Sequence, residues 1–75
     1  MRIVDRDPQP ILLPPGPLPQ WLVDAVNFHN AGVELHNLAA LERLVDAERA
    51  FEFQVQAMEH FLSSVAIRMA HGSAA

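Results

Sequence analysis

The chain has 75 residues, a formal net charge of −4, five arginines, no lysine and no cysteine. That length holds one small domain, and the missing cysteine excludes disulfides and zinc sites built on thiolates. An acidic chain without lysine is poorly suited to the nucleic-acid phosphate backbone, and no stretch approaches the roughly 20 apolar residues of a membrane span.

Residues 1–19 contain all six prolines. Proline fixes φ and removes a backbone donor, so this stretch is expected as an extended arm, with polyproline II character from Pro14 to Pro19. Residues 2–4 are a weak candidate for a short edge strand. The apolar run Ile11-Leu12-Leu13 is hemmed in by Pro10 and Pro14, too short for the apolar core of a secretory signal. The expectation is a cytoplasmic protein. Arg2 and Arg6 balance Asp5 and Asp7, so the net negative charge lies on residues 20–75.

From Gln20 onward there is no proline, and good helix formers dominate. Pro19 suits a helix start. Trp21, Leu22, Ala25, Val26, Phe28 and His29 follow at helical spacing. Asn30-Ala31-Gly32 reads as a stop, because Gly and Asn are the usual residues just past a helix end, and Asn37 reads as the cap of a second helix. The expected fold is all-α: the arm over 1–19, then a helical hairpin over 20–75 with helices at about 20–30 and 38–71. Two alternatives stand beside it. Gly32 sits inside a longer helix at a cost of about 1 kcal/mol, or a break falls near Asp46.

On those boundaries a helix of roughly 17 Å would cover about a third of one roughly 51 Å long. The long helix carries a heptad seam: Leu41, Leu44, Glu48, Phe51, Val55, Met58, Leu62, Val65 and Met69. All but Glu48 are apolar, as in a helix-packing seam, and Val45 and Phe61 widen it. A weaker stripe runs along the far side through Ala50, Phe53, Ala57, His60, Ser64 and Ile67. Its small residues suit close approach of another helix. Two apolar faces and little chain to cover them point to self-association, most simply a homodimer forming a helical bundle. Glu48 reads as a register-setting polar residue of the seam or a side chain that escapes to solvent.

Chemistry-bearing patterns are sparse. His29, His36, His60 and His71 lack the i, i+4 spacing of a helical zinc pair, so neither metal nor cofactor is expected. Ser63 and Ser64 sit within a helix, without the glycine-framed strand-to-helix turn of a serine nucleophile. Gly16, Gly32 and Gly72 form no phosphate-binding loop. The chain is therefore expected not to be an enzyme. The acidic residues Glu42, Asp46, Glu52 and Glu59 read as a solvated helix face.

The remaining signals concern contact with other proteins. Pro14-Pro15-Gly16-Pro17 formally contains a Pro-x-x-Pro element. Ile11, Leu12 and Leu13 need cover from the chain itself, a second copy or a foreign protein. Trp21 is either a core anchor or a binding hot spot, and Phe53, His60 and Ile67 complete the partner-binding candidates. The functional expectation is a small non-catalytic protein-interaction module that binds another protein, for example an inhibitor sequestering a regulator or enzyme. The alternatives are a structural homo-oligomeric subunit and, further off, a metal or ligand carrier using His29, His36 and His60.

Overall fold

Helix α1 runs Gln20–Glu42 and helix α2 runs Ala47–Gly72, in a computed structural model that describes residues 7–72. The described residues contain no strand, and the strand considered at 2–4 lies outside them. Residues 7–19 carry neither helix nor strand. They bend at Pro15-Gly16, where Gly16 has a φ of 109°, a conformation open to glycine and costly for other residues. Pro19 is the N-cap of α1, and its carbonyl accepts from the N–H groups of Leu22 and Val23 at 3.1 and 3.2 Å.

The break expected at 30–37 is absent. Asn30, Gly32 and Asn37 lie inside α1, and the chain turns at Arg43–Asp46 instead. The turn is held locally. Arg43 N–H donates to the Ala39 carbonyl at 2.9 Å, and the N–H groups of Val45 and Asp46 donate to the Glu42 carbonyl at 2.8 and 2.7 Å. Asp46 then caps α2, its Oδ1 accepting from the N–H groups of Glu48 at 3.1 Å and Arg49 at 3.3 Å. This is the usual way an aspartate satisfies the free donors of a first turn. Arg49 Nε lies 3.7 Å from Glu42 Oε2, tying the two sides of the turn together. Glu48 is exposed in the first turn of α2, where a negative charge suits the helix dipole.

The helices therefore differ little in length, 23 against 26 residues, and α1 can accompany α2 over most of its course. They are antiparallel: Trp21 stacks on His71, Phe28 meets His60, His29 meets Phe61, and Glu42 reaches Arg49. No helix among the described residues is long and apolar enough to cross a membrane.

Small residues make the seam between the helices. Ala25, Gly32 and Ala39 are buried on α1, and Ala50, Ala57 and Ser64 on α2. Both sets repeat every seven residues. Ser64 Oγ donates to the Ala25 carbonyl at 2.7 Å. Antiparallel steps of seven from that contact set Ala57 across from Gly32, and Ala50 across from Ala39. A Cβ on Gly32 would stand 2.8 Å from Phe61 Cε1, so the close approach uses the missing side chain. Val26 and Val33 are also buried on α1, one position round from the small residues.

Candidate interaction surface

The stripe that packs the hairpin together is the weaker one of the sequence, Ala50-Ala57-Ser64. Phe53, His60 and Ile67 from the same stripe are half-buried. Arg49 places its guanidinium 5.9 Å from the Phe53 ring centroid. His60 Nδ1 lies 2.8 Å from the Gln56 carbonyl oxygen, and its ring is 5.9 Å from that of Phe28. An open cleft of about 230 Å³ lies over Phe28 and His60, edged by Asp24, Asn27 and Ala31. Trp21 is half-buried and lies almost parallel to His71, with ring centroids 5.5 Å apart. The stack joins the start of α1 to the end of α2.

The strong heptad seam faces outward. Within the chain it is not the core. Phe51 is 68 % exposed, Met58 56 % and Leu62 64 %, while Val55, Val65 and Met69 are exposed beside them. Leu41 is exposed at the end of α1, and Leu44, at 85 %, stands out from the turn. This burial is inverted relative to side-chain size. Alanine, glycine, valine and serine take the fully buried positions, while Phe51, Met58 and Leu62 line the outside of α2. Helix formation explains how both faces coexist: 3.6 residues per turn carries two stripes of near-heptad spacing on different sides of one helix.

A second apolar feature is held in place by polar contacts. Asn30 makes a two-pronged contact with the backbone of Ile11. Its Oδ1 accepts from the Ile11 N–H at 2.8 Å, and its Nδ2 donates to the Ile11 carbonyl at 3.0 Å. His29 Nε2 lies 2.8 Å from the Gln9 carbonyl oxygen, and His36 Nε2 lies 3.6 Å from Asp7 Oδ1. Val26, Asn30 and Val33 share one side of α1 by their i, i+4 and i, i+3 spacing, so the proline-rich segment crosses α1 beside its two buried valines. Beyond this anchor Leu12 is 90 % exposed, and Ile11 and Leu13 are partly so.

The remaining polar candidates are dispersed. His29 and His36 contact the proline-rich segment, His60 contacts its own helix, and His71 stacks on Trp21. Among the described residues no three His, Asp or Glu side chains come together to hold a metal ion. Of the acidic face, Glu42 is paired with Arg49 and Asp46 caps α2, while Glu52 and Glu59 are exposed. The chain matches no protein-family model, no curated protein and no solved structure.

Proposed function

We propose that this chain is a non-catalytic protein-interaction module that works by presenting apolar surface to other proteins. The observation that carries the reading is the inverted burial: Phe51, Met58 and Leu62 along α2, with Leu12 and Leu44 outside it, are all more than half exposed, while the fully buried positions hold small residues. Isolated exposed apolar side chains are ordinary. A run of them along one helix face is not, and extended apolar patches mark contact sites. The anchored Ile11-Leu12-Leu13 element offers a second contact, on backbone already fixed by Asn30, so little conformational freedom remains to be lost on binding.

The reading is tested by capture from native-host extract with wild type, Leu12→Glu and Leu62→Glu, followed by reconstitution with the identified protein in purified form. The expected result is a defined complex that persists on reconstitution and is lost in at least one variant whose helical content is unchanged. A complex that survives both substitutions, or none that reconstitutes, overturns it. Recovery of the chain only as a large polymer that grows with concentration would make it a structural subunit instead.

A further inference from the structure

We infer that the outer face of α2 binds a second copy of this chain, antiparallel, with the twofold axis passing between Met58 and Leu62. The inference rests on the interaction reading above and names the occupant of one of its two surfaces, leaving the Leu12 element for other proteins.

The spacing specifies a helix as the occupant. Phe51, Val55, Met58, Leu62 and Val65 step by four and three in alternation along α2, and all five are exposed. A seam of this period is matched by another helix lying nearly along it. The small-residue face of the same helix is already occupied by α1, through Ala50, Ala57 and Ser64.

The area reaches the lower bound. From their exposed fractions, these five residues present roughly 500 Å² per copy, so full cover in a pair would bury roughly 1,000 Å², the lower limit for a specific interface.

The order of side chains then selects the second copy and its direction. When α2 is laid antiparallel on itself about that axis, Met58 meets Leu62, Val55 meets Val65, and Phe51 reaches the level of Met69, each from one copy to the other. The seam is complementary to its own reverse, as an antiparallel twofold contact requires. Glu48, the one polar residue of the heptad pattern, falls level with Gly72 of the second copy, at the end of the contact. A parallel pairing would instead bring Glu48 level with Glu48 at the end of the seam, an unfavourable like-charge contact.

The chain has no cysteine, so single cysteines report the geometry directly. Val55→Cys and Val65→Cys are prepared separately, checked for unchanged helical content, and treated alone or mixed with a short thiol-to-thiol cross-linker. Sedimentation equilibrium on wild type is expected to give twice the chain mass. Cross-linking is expected to be efficient in the mixture and poor in Val55→Cys alone. Leu62→Glu is expected to weaken association by about a hundredfold or more, since each dimer loses the same burial twice. A wild-type monomer at every concentration reached overturns the inference. So does efficient cross-linking of Val55→Cys alone with no gain on mixing, which would indicate parallel pairing. A monomer that still forms a Leu62-dependent complex with another protein would overturn the dimer and leave the interaction module standing. A dimer that binds no other protein would do the reverse.

Discussion

The Phe61 ring packs directly against the α1 backbone at Gly32. A methyl group at Gly32 would approach the Phe61 ring to 2.8 Å at Cε1 and 2.9 Å at Cδ1, and that ring is itself in contact with His29 at a centroid distance of 5.4 Å. Gly32→Ala therefore sets two effects against each other. Helix propensity favours alanine by about 1 kcal/mol, and forcing bulk into a close-packed contact costs about 1–3 kcal/mol. The expected net result is destabilisation by about 1 kcal/mol in thermal melts at fixed protein concentration. Gly32→Ala combined with Phe61→Leu should recover most of that loss.

Ser64 tests the same contact seven residues away. Its hydroxyl donates to the Ala25 carbonyl from a site only 2 % exposed. That carbonyl also lies in the helical ladder of α1, so Ser64→Ala leaves no buried group orphaned and should cost only about 0.5–1.5 kcal/mol. Ser64→Val removes the same bond and adds volume where the helices touch, and should cost about 1–3 kcal/mol more. Urea unfolding of the two variants distinguishes a tight seam from a loose one. Equal costs would indicate a loose one.

Asp46 should behave as a cap and nothing more. Asp46→Ala removes the acceptor for the Glu48 and Arg49 N–H groups and is expected to cost about 1 kcal/mol. Asp46→Asn should retain most of it. Replacing Asn37, which lies exposed inside α1, should have no comparable effect on unfolding, whereas a cap at that position would be sensitive.

Asn30 should govern the proline-rich segment without governing the hairpin. Asn30→Ala removes both bonds to the Ile11 backbone. Hydrogen exchange at the Ile11 amide should then accelerate to near the unprotected rate, while the amides of α2 keep their protection. Asn30→Asp retains the acceptor and loses the donor, and should give an intermediate rate. Unchanged exchange in Asn30→Ala would mean that other contacts hold the segment.

Two helices in an all-α hairpin, and a start at Gln20, are legible in the residues alone, because proline ends at Pro19 and helix formers follow. The position of the turn is legible only as the alternative break near Asp46, not as the expected one at 30–37. Asn30-Ala31-Gly32 has the composition of a helix stop, but Gly32 serves instead as the point where Phe61 packs against the backbone. The true turn at Arg43–Asp46 contains no glycine or proline, only an aspartate cap. Which of the two faces packs within the chain is left open by the pattern, for a related reason. Hydrophobic periodicity ranks stripes by the size of their side chains, and so selects Phe51, Val55, Met58 and Leu62. Close helix packing within the chain depends on smallness. Half of the signal, Ala50-Ala57-Ser64, stands out in the sequence as a stripe of small residues; its match on α1, Ala25-Gly32-Ala39, emerges only when the two helices are read antiparallel. The Asn30–Ile11 contact spans 19 residues and leaves no local pattern to read.

The central claim is that α2 packs on α1 through Ala50, Ala57, Ser64 and the Phe61 ring and turns Phe51, Met58 and Leu62 away. Nuclear Overhauser contacts in the isotopically labelled chain, with mixed labelled and unlabelled protein to separate contacts within one chain from contacts between two, test it most directly. The account predicts intrachain contacts from the Gly32 α-protons to the Phe61 ring and from Ala25 to Ser64, with none from Gly32 to Met58 or Leu62. Intrachain contacts from α1 to Met58 and Leu62, with Ala57 and Ser64 facing solvent, would contradict it.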